Sequence, residues 1–85
     1  MPNVYWFDDA RDEFESLPEH TRDAIERRLA NLRRFPAIYQ VVETGEFAGF
    51  RRFVVDGRLH IYYAVKGDAE HCYVRAIRFA RAAPR

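Results

Sequence analysis

The chain has 85 residues, 48% apolar and 32% charged, with one cysteine and a formal net charge of +1. That length suits a single compact domain over 1–85 with a thin core. The absence of a long apolar run excludes a membrane-spanning helix, and the lone Cys72 excludes an intrachain disulfide and fits a reducing cytoplasm.

Charge is unevenly divided. Residues 1–46 balance at −4 and residues 47–85 at +5. A positive second half draws in anions, although small domains often divide their charges this way. Arginine outnumbers lysine thirteen to one. Either a composition bias of the source genome or selection for the phosphate-gripping guanidinium fork accounts for that. His20, His60 and His71 lack ligand spacing with Cys72, so no metal site and no cofactor are expected.

In chain order, "VYWF" is the first strand. The sequence then turns acidic at Asp8 and Asp9, too soon for a signal peptide. Asp8 is placed to cap a first helix over about 8–17, with Ala10, Phe14 and Leu17 as its apolar stripe. A second helix over about 18–35 starts at Pro18 and stops before Pro36. Ile25, Leu29, Leu32 and Phe35 form its stripe, and Asp23–Arg27 is an i,i+4 pair. Arg27, Arg28, Arg33 and Arg34 flank its polar side and read as a solvated face.

"AIYQVVETGEFAG" carries turns at Gly45 and Gly49, and "YQVV" is a short strand or a loop. Three strands over about 50–55, 58–65 and 70–80 follow. Asp56-Gly57 is a hairpin turn between the first two. The last has apolar residues on both faces, as in a central strand. The order β-α-α-β-β-β predicts an α+β fold with a helical hairpin packed on one face of a small, mainly antiparallel sheet.

The strand "RLHIYYAV" alternates. Leu59, Ile61, Tyr63 and Val65 share a core face, while Arg58, His60, Tyr62 and Ala64 share the other. Arg51 and Arg52 are adjacent, so at most one of them can join that polar face. Arg78 sits among apolar residues and needs a partner, for which Glu43 and Glu46 are candidates. His71 and Lys66 read as solvated turn residues. Trp6, Phe47 and Phe50 lie near edges or loops, where exposed apolar groups mark a protein interface.

The short strand, the "F-x-x-A" helix, the "L-P" break, the second amphipathic helix ending at proline and the run "GFRRFVVDGRLHIYYAVKGD…YVRAIRFAR" together resemble the RelE/ParE superfamily of toxins, over about residues 4 to 81. The resemblance implies the cytoplasmic toxin of a bacterial type II toxin–antitoxin pair, bound by a cognate antitoxin protein. RelE-type members cut messenger RNA in the ribosomal A site without a metal. ParE-type members poison DNA gyrase, and a relative can also persist as an inactive binding module. The short helices resemble the RelE type more closely, whose partners are the ribosome and mRNA.

Metal-free RNA cleavage needs a proton acceptor for the 2′-hydroxyl, cations for the phosphate and a proton donor for the leaving oxygen. His60 titrates near neutrality and fits the first or last role. Arg78 and Arg81 complete the candidate catalytic set. Arg51, Arg58 and Tyr62 are the candidate substrate-binding residues, with Tyr62 a stacking surface for a base or a cross-strand packing partner. Arg81 stands where many family members carry a histidine, and the ending "ARAAPR" lacks the tyrosine that some relatives use.

Overall fold

A computed structural model of the chain describes residues 3–66 and 71–79. Strand β1 (Asn3–Trp6) leads into helix α1 (Asp8–Glu15) and helix α2 (Glu19–Arg34). Strands β2 (Arg51–Val55), β3 (Leu59–Lys66) and β4 (His71–Phe79) follow. The sheet order is β1-β4-β3-β2. β1 runs parallel to β4, and the two remaining pairs are antiparallel. The expected β-α-α-β-β-β architecture is the one observed, with both helices on one face of the sheet.

That face holds the core. Ile25, Leu29 and Leu32 of α2 and Ala10 and Leu17 pack with Phe53, Val55, Leu59, Ile61, Tyr63, Cys72, Val74 and Ile77. The odd-numbered residues of β2 and β3 supply it because side chains alternate along a strand. The Tyr63 hydroxyl donates to the Pro36 carbonyl at 3.0 Å, so the buried phenol has a partner. At the Asp56-Gly57 turn both φ angles are positive, 56° and 72°. This is the turn geometry whose twist matches a hairpin. The Asp56 carboxylate also accepts from Thr21 Oγ1 at 3.3 Å, tying the turn to the start of α2.

β4 gains an extra residue. Tyr62 pairs with Ala76 but Tyr63 pairs with Val74, which leaves Arg75 as a bulge. The bulge reverses the alternation. Cys72 and Val74 before it and Ile77 and Phe79 after it therefore all share the helix side. β4 is a central strand, as expected, and this reversal is why its apolar residues fall at both parities.

Several local expectations are corrected. Asp8 is not the cap: the extended Phe7 holds that place, and Asp8 and Asp9 fill the first turn, where their charge suits the helix dipole. Pro18 caps α2 rather than beginning it, its carbonyl accepting from Thr21 and Arg22 at 3.1 and 3.0 Å. Phe35 leaves the helical geometry at φ −138° and is exposed, not buried. Among the described residues the i,i+4 ion pair is Arg11–Glu15 at 3.1 Å, and not Asp23–Arg27. Arg28 is half-buried, with its guanidinium 5.7 Å from the Tyr39 ring and 5.9 Å from the Phe53 ring. Val41 makes a single bridge to Arg51, so "YQVV" is a loop that touches the sheet edge.

Candidate functional site

The face of the sheet away from the helices is built by the other parity. Arg52 stands opposite Tyr62, and Tyr62 stands opposite Ala76. In the next row Val54, His60 and Arg78 lie side by side. Arg52, His60, Tyr62 and Arg78 thus share one surface. His60 Nδ1 is 3.4 Å from the Tyr62 hydroxyl. Partial burial, with the Arg52 charge second, lowers the His60 pKa below its ordinary 6.5. Both causes disfavour the charged imidazole.

The loop before β2 folds over this surface. Gly45 and Gly49, with φ of +90° and +92°, provide bends that L side chains rarely adopt. Gly49 N donates to Val42 O at 2.9 Å and Val42 N to Phe50 O at 2.7 Å, closing the loop on itself. Phe47 is carried onto Tyr62, and its ring is buried there, outside the main core. The Arg78 guanidinium lies 5.4 Å from the Phe47 ring centroid and donates to the Ile77 carbonyl at 3.1 Å. Arg78 is exposed and has no carboxylate within ion-pair distance among the described residues. The expected Glu43 or Glu46 partner is thus replaced by an aromatic ring.

The sequence-based candidates separate accordingly. His60, Tyr62 and Arg78 come together. Arg51 does not join them. It points to the helix side with the odd-numbered core residues, and its Nη1 donates to the carbonyls of Tyr39 at 2.7 Å and Ala37 at 3.4 Å. Arg58 is exposed in the β2–β3 turn. Arg81 lies outside the described residues. Arg52, absent from the candidate set, takes the place considered for Arg51. The signal was available: with Phe53 and Val55 in the core, parity sends Arg51 inward and Arg52 outward. Phe47 was expected near an edge and is buried, while Trp6 and Phe50 are half-buried. Among the described residues the exposed large apolar ones are Tyr5, Phe7, Phe35, Ile38, Val41 and Phe79.

The strands contain Arg51, Arg52, Lys66, Arg75 and Arg78 and not one carboxylate, whereas α1 alone carries Asp8, Asp9, Asp12, Glu13 and Glu15. Arg51 faces the helices, so the strands give the open face Arg52, Lys66, Arg75 and Arg78 and no carboxylate, while the loop folded over it adds Glu43 and Glu46. A groove of about 770 Å³ lies elsewhere, between α1 and α2, lined by Trp6, Phe14, Leu29 and Ala30 under a rim of both charge signs. Its rim sets Arg11, Arg27 and Arg33 against Glu15, Asp23 and Glu26, so its charges offset one another and it holds no imidazole. Among the described residues no group of three or more His, Cys, Asp or Glu side chains is placed to hold a metal ion. No helix among them is long and apolar enough to cross a membrane.

No protein-family model matches the sequence, and no curated protein matches it. Solved structures do. The isolated E. coli RelE toxin superposes with a TM-score of 0.82 at 13% identity, over 98% of this chain and 88% of that one. The YoeB/ParE toxin from Agrobacterium tumefaciens gives 0.77 at 19% identity, over 95% and 100%. The RelBE2 toxin–antitoxin complex from Mycobacterium tuberculosis gives 0.71 at 20% identity, over 93% and 99%. The fold of this chain is that of the RelE/ParE toxins, as the sequence resemblance implied.

Proposed function

We propose that this chain is the toxin of a toxin–antitoxin pair and acts as a RelE-like, ribosome-dependent mRNA endonuclease through the open face of its sheet. The observation that supports this reading is the gathering of an imidazole and two guanidinium groups on a face whose strands carry no carboxylate. An RNA backbone is the polyanion that such a face attracts.

The chemistry balances without a metal. With its proton on Nδ1, shared with the Tyr62 oxygen, His60 keeps a free lone pair on Nε2. That nitrogen accepts the proton of a ribose 2′-hydroxyl as the 2′-oxygen attacks the adjacent phosphorus. The bond from phosphorus to the 5′-oxygen breaks, giving a 2′,3′-cyclic phosphate. The leaving 5′-oxygen takes a proton from water or from a neighbouring acid. Arg52 and Arg78 stabilise the charge that builds on the phosphoryl oxygens, with Arg81 a further candidate. Arg58 extends the phosphate contacts at the hairpin turn. Phe47 covers the Tyr62 ring, so Tyr62 serves by holding His60 rather than by stacking a base.

The antitoxin partner rests on the fold and on the exposed apolar residues at the end of α2 and in the loop after it, Phe35, Ile38 and Val41. Such a patch fits an amphipathic segment of a second protein. The test is cleavage of mRNA on programmed ribosomes, run beside a gyrase supercoiling assay. Cleavage that stops on adding the protein encoded by the adjacent gene is the expected result. Inhibition of gyrase without cleavage would replace this reading with a ParE-like one, and inactivity in both assays with an inactive binding relative.

A further inference from the structure

The open face continues past His60 and Tyr62 to a second group of aromatic and basic side chains. Tyr5 and Tyr73 are cross-strand partners on the β1–β4 pair. Their rings stack at 5.5 Å with planes 26° apart. His71 meets Tyr5 edge-on at 5.6 Å. Lys66 Nζ stands 6.0 Å from the Tyr73 ring centroid. Phe7 follows Tyr5 on the same parity, and the Arg75 guanidinium lies 4.8 Å from its ring. His71 was expected to be a solvated turn residue. It is half-buried in β4, and its Nδ1 has no hydrogen-bond partner among the described residues.

Tyr5 and Phe7 are 44% and 45% exposed, so rings at the edge of a cationic sheet face outward. A protein segment attracted by apolar area alone would gain little from the cations around them. A single-stranded nucleic acid uses both, since each base has a face to stack and each linkage a charge to neutralise. The spacing suits it as well. Tyr73 pairs with Ala64, two residues along β3 from Tyr62. That is about 7 Å of strand, a distance one RNA strand spans.

We propose that Tyr5 and Tyr73 form a base-stacking subsite for single-stranded RNA, with Lys66 and Arg75 as its phosphate contacts. The subsite holds a nucleotide farther along the RNA strand than the one that reacts at His60, and it rests on the RNA-binding reading of the open face. Arg75 also meets Asp9 at 3.4 Å through an exposed contact, which a phosphate can displace.

The test measures binding of the full chain to a fluorescein-labelled 2′-O-methyl octaadenylate, whose blocked 2′-oxygens prevent cleavage. An octamer with the same backbone and no bases is the second probe. Tyr5→Leu and Tyr73→Leu keep apolar bulk and remove the ring, and Tyr5→Phe and Tyr73→Phe keep the ring. Each Leu variant should bind octaadenylate about tenfold more weakly. The Phe variants should bind it as the parent chain does. The abasic octamer should bind the parent and the Leu variants alike, and Arg78→Ala should weaken both probes. Tyr5 is exposed, so Tyr5→Leu decides the matter if Tyr73→Leu lowers the melting temperature too far for the assay. Octaadenylate affinity unchanged in Tyr5→Leu but reduced in Arg78→Ala would overturn the subsite and leave the RNA-binding face standing. No affinity of the parent chain for either probe would overturn both.

Discussion

Phe47 lies nearly flat on Tyr62, with ring centroids 4.3 Å apart and planes 23° apart. The stack ties an irregular loop to the middle of the open face. It also fixes the Tyr62 ring, whose hydroxyl reaches His60. Loop and imidazole are thereby linked through a single tyrosine.

Removing the ring should loosen the loop. Phe47→Ala deletes a buried aromatic side chain, at a cost of about 3 kcal/mol. Phe47→Leu keeps most of the burial and loses the ring-on-ring contact, which is worth about 1 kcal/mol. Denaturant midpoints of the two variants should fall in that order below the parent. Midpoints equal to the parent would mean that the loop does not rest on the sheet.

The His60 shift has a definite sign. Its pKa lies below 6.5 in the folded chain, through burial first and Arg52 second. The unfolded chain, with the ordinary value, binds more protons in the interval between the two. Stability therefore falls as pH drops from about 6.5 toward the lower folded value, and it levels off below that. His60→Gln should flatten this slope. Arg52→Ala should move the His60 titration, followed by NMR, upward. A His60 that titrates at or above 6.5 in the parent chain would contradict the assigned environment.

Tyr63 governs the alkaline side. Burial is the largest cause of its pKa rising from 10.0 to about 12. A folded pKa above the unfolded one gives a contribution that is complete below pH 10 and is lost as pH rises toward about 12. Tyr63→Phe should remove that alkaline loss. At neutral pH it should also destabilise by about 1 kcal/mol, because the Pro36 carbonyl loses its donor. Melting curves at neutral and alkaline pH in the two proteins check both effects. An alkaline slope that survives the substitution would assign it to another group.

How much of this was legible depends on how local the cause is. The alternation Leu59, Ile61, Tyr63 sets the core face of β3, and Asp56-Gly57 sets the hairpin, because both are decided within a few residues. The helices likewise end near Pro18 and Pro36, where proline removes a donor. The Arg75 bulge has no such local mark. It shows only in the register between two strands, and it changes which residues of β4 share a face. Phe47 was misplaced for a related reason: its burial comes from a loop folding back on Tyr62, which no periodicity records. His71 and Lys66 looked like turn residues because the turn is near, yet β3 and β4 extend to include them. The Arg51–Arg52 choice was readable from parity alone, had Phe53 and Val55 been used as the reference.

That adjacent pair offers the most direct test of the central claim, that the open face performs the function. Arg51 and Arg52 have the same side chain and opposite faces. Cleavage of mRNA on programmed ribosomes and melting temperature should be measured for both alanine variants. Arg52→Ala should lower the cleavage rate by about 10²–10³ with melting nearly unchanged, as for loss of a charge-stabilising donor. Arg51→Ala should lower stability by about 1–3 kcal/mol, since it frees the carbonyls of Tyr39 and Ala37, and should retain cleavage below its melting temperature. The reverse pattern, with cleavage lost in Arg51→Ala and kept in Arg52→Ala, would contradict the assignment of the open face.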